Sequence, residues 1–196
     1  MHVISVAGSQ KDAGKTSLTT FLLSHFNSFG ALKVTVCAGK CPRPTPCGVC
    51  ARLTEPFAII EDETIINTPN TDTGLFKQAG ASKVIWVQAT KEGLKEGVEL
   101  ALSKFEGIPG IITEGNNLIK AIEPSLSLMV LHHEETPYKQ SAIEILDKVD
   151  AIVFDRGNAM PRLPDQLMDK PVFYAKDEKL INFVKEKTNE KIVIGD

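Results

Sequence analysis

The chain of 196 residues lacks any long apolar run. Stretches such as Val84-Ile85-Trp86-Val87 and Leu128-Met129-Val130-Leu131 are a few residues each, whereas a membrane-spanning helix takes about 20. It lacks an excess of positive charge: 22 Lys+Arg against 25 Asp+Glu leave a formal charge of −3. That excludes the broad basic face of a general nucleic-acid binder and leaves room for one local basic site. Met1–Ser5 carries no basic segment and the chain turns polar by Ser9, so no leader peptide is expected. The expected compartment is the cytoplasm, where cysteines are reduced thiols or metal ligands rather than disulfides. Internal repeats, low-complexity tracts and linkers are also missing. What remains, 42% hydrophobic and 24% charged residues, is ordinary globular composition for one domain over residues 1–196.

What is present is alternation. His2–Ala7, Ala31–Cys37, Lys83–Gln88, Gly110–Thr113, Leu126–Leu131, Ala151–Phe154, Val172–Tyr174 and Ile192–Ile194 read as short buried strands. Thr16–Asn27, Asp72–Gly80, Glu92–Phe105, Tyr138–Lys148 and Asp177–Lys187 read as helices. In the first helix Leu18, Phe21, Leu22, His25 and Phe26 share one face, which makes His25 a packed core residue. Phe57–Ile60 and Thr64–Ile66 read as a small antiparallel pair around Glu61-Asp62-Glu63. Repeated β-α alternation predicts an α/β fold of three layers, a mostly parallel sheet with helices on both faces.

The first strand runs into Gly8-Ser9-Gln10-Lys11-Asp12-Ala13-Gly14-Lys15-Thr16 and then a helix. This is close to the phosphate loop G-x-x-x-x-G-K-[ST], with the first glycine one residue early and Ser9 in its expected place. Backbone N–H groups and a helix N-terminus there offer a concave anion site. Gly8, Lys11, Asp12, Ala13, Gly14, Lys15, Thr16 and Ser17 are the expected nucleotide contacts. Lys15 serves the terminal phosphates and the Thr16 hydroxyl serves Mg²⁺. Glu114 closes an apolar strand before Gly115, beyond whose end a ligand of a parallel sheet sits, and is the expected Mg²⁺ acid. Lys15 and Glu114 are the catalytic candidates; Asp62 and Asp72 are weaker candidates for a second acid. The expected ligand is GTP or ATP with magnesium.

All four cysteines fall in one stretch, Cys37, Cys41, Cys47 and Cys50, interleaved with Pro42, Pro44 and Pro46. Four thiolates from one loop can close a tetrahedral zinc site or hold an iron–sulfur cluster, and the spacing matches neither standard pattern. Residues 37–52 are therefore expected to be a metal-binding loop, with Lys40, Arg43 and Arg52 giving it positive character. Adjacent side chains diverge in an extended segment, so His132-His133 reads as a solvated pair. Asp155-Arg156-Gly157-Asn158 lacks the Asn-Lys-x-Asp pattern that reads guanine.

The shifted phosphate loop resembles that of the dethiobiotin-synthetase group of P-loop proteins. Pro69-Asn70-Thr71-Asp72-Thr73-Gly74-Leu75-Phe76-Lys77-Gln78-Ala79-Gly80-Ala81 resembles the P-x-x-D-[ST]-x-x-x-[KR]-x-A-G-A segment of the molybdopterin-guanine dinucleotide biosynthesis B (MobB) proteins. Those proteins also have a strand ending in Glu-Gly, and the likeness runs in matching order over roughly residues 1–131. It differs where that family carries a lysine-histidine motif after the second strand; here Val34-Thr35-Val36 leads into Cys37. The resemblance implies a P-loop NTPase that binds and slowly hydrolyses GTP in support of molybdenum-cofactor or other metallocofactor assembly. Lys15 and Thr16 would serve phosphate and Mg²⁺, and Glu114 would serve Mg²⁺. The alternative is a nucleotide-gated metal or iron–sulfur carrier with little turnover. The expected partners are a nucleotide and a cofactor-biosynthesis or metalloenzyme protein, with no nucleic acid and no membrane; a homodimer stays open.

Overall fold

The structure is a computed structural model that describes residues 1–37, 53, 55–132, 137–154 and 162–190. Among these residues eight strands form one sheet: β1 (His2–Gly8), β2 (Gly30–Val36), β3 (Phe57–Ile60), β4 (Val84–Ala89), β5 (Gly110–Glu114), β6 (Leu126–Val130), β7 (Ala151–Phe154) and β8 (Val172–Tyr174). Their order across the sheet is β3-β4-β2-β5-β1-β6-β7-β8. Every pairing is parallel except β3 with β4, which aligns Phe57 with Ala89 and Ile60 with Trp86. β4 to β7 are short apolar strands, buried almost throughout as strands of a mostly parallel sheet covered on both faces are.

The helices are α1 (Lys15–His25), α2 (Glu63–Ile66), α3 (Asp72–Gln78), α4 (Leu94–Ser103), α5 (Asn116–Ala121), α6 (Gln140–Ile143) and α7 (Glu178–Glu190). Alternate residues of each strand serve opposite layers. Ile4, Val6 and Ile112 pack with Leu18 and Leu22 of α1, Phe76 of α3 and Leu180 of α7. Val3, Leu32 and Ile111 pack with Leu94 and Val98 of α4 and Leu118 of α5. Ala7 and Met129 pack with Ile119 of α5 and Ala142 of α6. This is the three-layer architecture expected from the alternation. It brings the carboxyl ends of β1, β2, β5 and β6 to one edge of the sheet.

Three local readings are corrected. Thr64–Ile66 is not a strand: the Asp62 carboxylate accepts the Thr64 N–H at 2.8 Å and caps α2, so a cap overrides the β-branched composition, and β3 pairs with β4 instead. Tyr138–Lys148 is not one helix: it breaks into α6 and a 3₁₀ turn at Leu146–Lys148. His25 is not in the core: α1 ends there, the imidazole is exposed, and its Nδ1 lies 2.8 Å from the Phe21 carbonyl. α5 follows Gly115 with no helix expected from sequence. Ile192–Ile194 lies outside the described residues.

Candidate functional site

β1 ends at Gly8 and the chain turns over residues 9–14 into α1. Gly14, the N-cap of α1, holds φ 93°, a left-handed conformation costly for side-chain-bearing residues, and itself offers no capping side chain. The first N–H groups of the helix thus get no cap from Gly14, and a helix start of this kind suits an anion. The early glycine has a packing reason. A Cβ at position 8 would lie 2.9 Å from Lys15 Cγ and 3.0 Å from Cδ, so the Lys15 stem runs directly against the Gly8 backbone. Its ammonium reaches the Gln10 carbonyl at 3.4 Å. Burial lowers the Lys15 pKa, with Glu114 opposing and Lys33 reinforcing that shift.

Ser9, where the usual loop has glycine, is buried and acts as a fastening point. Its N–H donates to the Val130 carbonyl (2.9 Å), its Oγ accepts the His132 N–H (2.8 Å), and its carbonyl accepts the Lys139 N–H (3.0 Å). Across the loop, Asn116 accepts the Gly8 N–H and donates to the Gly8 carbonyl, both at 3.0 Å.

Thr16, Lys33, Asp72 and Glu114 form a closed ring. Thr16 Oγ1 stands 3.0 Å from Asp72 Oδ1 and 2.9 Å from Glu114 Oε2. Lys33 Nζ lies 2.6 Å from the other oxygen of each carboxylate, Asp72 Oδ2 and Glu114 Oε1. α1 supplies the hydroxyl, β2 the ammonium, α3 its first residue and β5 its last. The Glu114 side chain is 4% exposed and that of Asp72 40%. Burial alone would lower the Lys33 pKa, but Glu114 and Asp72 outweigh it and raise it. Burial likewise would raise the Asp72 pKa, and the Lys33 hydrogen bond and charge hold it below its ordinary value. The donor set fits magnesium. It consists of hard oxygens only, and a positive charge already sits between the two carboxylates. Among the described residues no group of three or more His, Cys, Asp or Glu could hold a metal, so magnesium here would complete its shell with water and phosphate oxygens.

A cavity of about 700 Å³ opens from this ring. Its lining includes the charged residues Lys15, Lys33, Asp72, Glu114 and Lys139 and the apolar residues Val36, Ile65 and Trp86. The Trp86 indole N–H donates to Thr35 Oγ1 at 3.0 Å.

The expected site residues sort clearly. Gly8, Gly14, Lys15, Thr16 and Glu114 converge, and Asp72, the weaker candidate, joins them. Ala13 is buried, whereas Lys11, Asp12 and Ser17 are exposed, with Lys11 Nζ 3.9 Å from Asp12. Asp62 is a helix cap away from the ring. Cys37 is buried just past β2, its N–H donating to the Ala89 carbonyl at 2.7 Å. Cys41, Cys47, Cys50, His133 and Asp155–Asn158 lie outside the described residues. Sequence reading missed Lys33, Asn116 and Lys139. A lysine inside the β-branched strand Leu32-Lys33-Val34-Thr35-Val36 was the available signal for the first; nothing local marks the other two.

No protein-family model and no curated protein matches the chain. Among solved structures, LpxK from Aquifex aeolicus, determined in complex with ATP, superposes with a TM-score of 0.53 at 17% identity. The match covers 89% of this chain and 53% of that one, so the chain spans about half the length of LpxK. The fold shared with LpxK is α/β, with a mostly parallel eight-stranded sheet among the described residues and helices on both faces.

Proposed function

We propose that the chain binds a nucleoside triphosphate with magnesium and hydrolyses it slowly. The observation that carries this reading is the convergence of Lys15, Thr16, Asp72 and Glu114 at the mouth of a glycine-bounded loop. In it the Lys15 ammonium neutralises the β- and γ-phosphates, and the α1 N-terminus takes the remaining phosphate charge. Thr16 and the two carboxylates hold magnesium, directly or through water. Magnesium held there would supply neutralisation of the phosphate charge. ATP, the ligand in the LpxK structure, and GTP, implied by the MobB-like Pro69–Ala81 segment, both suit this phosphate grip. The same segment supports a role in molybdenum-cofactor or other metallocofactor assembly, because its aspartate, Asp72, belongs to the ring.

A second reading, a nucleotide-gated metal carrier, is favoured by one connection. β2, which delivers Lys33 to the ring, continues into Cys37 and the four-cysteine stretch of residues 37–52. In this reading Cys37, Cys41, Cys47 and Cys50 hold zinc or an iron–sulfur cluster, and the nucleotide state governs its release to a partner protein.

Lys15→Ala tests the phosphate grip common to both. Triphosphate affinity by calorimetry should fall more than tenfold, about 1.4 kcal/mol, with the fold intact by circular dichroism. Unchanged affinity in a folded variant would overturn the assignment.

A further inference from the structure

Lys139 stands immediately before α6 and takes no part in the ring of Thr16, Lys33, Asp72 and Glu114. Its placement is nevertheless specific. The segment joining β6 to α6 is fastened at both ends to Ser9: His132 N–H to the Ser9 hydroxyl and Lys139 N–H to the Ser9 carbonyl. A residue of the phosphate loop thereby fixes the lysine backbone. Lys139 lines the same cavity as Lys15 and Glu114.

The charges around it are unbalanced. Among the described residues no carboxylate lies within ion-pairing distance of Lys139. Glu114, whose charge acts on it, is already engaged by Lys33 and Thr16. Three ammonium groups, from Lys15, Lys33 and Lys139, thus share the cavity wall with two carboxylates, from Asp72 and Glu114. Burial and the neighbouring Lys15 push the Lys139 pKa down to about 8, while Glu114 opposes and Lys33 adds to the fall. A half-buried cation set beside another cation is a costly arrangement for a free protein and a favourable one once an anion arrives between them.

We propose that Lys139 is a second phosphate-binding lysine, brought to the loop by Ser9, that contacts the terminal phosphate and makes the site select a nucleoside triphosphate over the diphosphate. This rests on the nucleotide reading above and adds the group that distinguishes the two nucleotides. Lys15, reaching along the loop from Gly8, serves both nucleotides; Lys139, held from the segment before α6, has a partner only when the third phosphate is present.

The experiment compares wild type, Lys139→Met and Lys139→Arg by calorimetry with magnesium, at pH 7, using non-hydrolysable GTP and ATP analogues alongside GDP and ADP. Lys139→Met should lose about tenfold in triphosphate affinity and keep its diphosphate affinity within about twofold, since one charged hydrogen bond carries about that factor. Lys139→Arg should recover the preference, because it restores the charge at the same place. Equal losses for both nucleotides, or no loss for either, in a folded Lys139→Met variant would overturn the inference while leaving nucleotide binding in place. A wild-type protein that binds neither nucleotide would overturn the nucleotide reading itself, and this inference with it.

Discussion

Replacing Lys33 by methionine removes the cation that lies between Asp72 and Glu114 while keeping an unbranched chain of similar length. The consequence can be worked from the geometry. The Glu114 side chain is 4% exposed, so it would be left as a buried charge whose remaining close partner is the Thr16 hydroxyl. Breaking a buried ion pair from one side costs about 3–5 kcal/mol. The Asp72 side chain is 40% exposed and solvent screens it, so its share of that cost is small. The lower end of the range, about 3 kcal/mol, is the expected loss. In a domain of this size that corresponds to a fall in Tm of about 6–12 °C. The double replacement Lys33→Met with Glu114→Gln should recover at least half of it, because the neutral amide no longer needs the cation. The pH dependence has a fixed sign. Lys33 has its folded pKa raised above 10.5, so its contribution is full below that value and lost as pH rises through the folded one. Asp72 has its folded pKa lowered below 3.8, so its contribution is full above that value and lost as pH falls through the folded one. The difference between wild type and Lys33→Met should therefore stay flat from about pH 5 to about pH 10 and shrink outside that window. Urea unfolding followed by circular dichroism across that range measures it. A variant within about 1 kcal/mol of wild type, or a double variant no more stable than the single one, would refute the reasoning.

Two further outcomes are expected. Glu114→Gln should reduce hydrolysis more than nucleotide binding, because charge stabilised through magnesium grows toward the transition state; equal turnover of variant and wild type across a magnesium titration would count against it. Cys47→Ser should lose zinc or iron from anaerobically prepared protein while nucleotide binding persists. Metal-free wild type with all four thiols open to alkylation at neutral pH would remove the metal reading.

The fold was legible because the strands are short apolar runs separated by amphipathic helices, and burial on both faces leaves a parallel sheet as the natural solution. The glycine-bounded turn from β1 into α1 was legible because its glycines, Lys15 and Thr16 are neighbours in sequence and the turn and helix start are local features. The ring was only half legible. Thr16 and Glu114 are 98 positions apart and Thr16 and Asp72 are 56 apart, so their meeting depends on strand order. β5 lies between β1 and β2, which sets Glu114 level with Lys33 across the β2–β5 pair. No local pattern conveys that register. Thr64–Ile66 went wrong for the opposite reason: its composition favours a strand, and a single carboxylate at Asp62 reverses the outcome. His25 was placed inside by its helical spacing alone, which cannot tell that the helix stops at that residue.

The Asn116 side chain has a mechanical consequence. By donating to and accepting from the Gly8 backbone, its amide acts as a rung between the end of β1 and the turn after β5, where the ordinary ladder has ended. Glu114 stands two positions before that rung and the Lys15 stem lies against the residue it grips. The lysine stem and the acid are thereby braced against the same short piece of backbone. Gly8 is tied to Asn116, Asn116 stands two positions after Glu114, and Glu114 meets Lys33 of β2 across 2.6 Å. The end of β1 and the strand that leads toward the cysteine-rich stretch are thus joined across β5 by side-chain contacts as well as by the ladder.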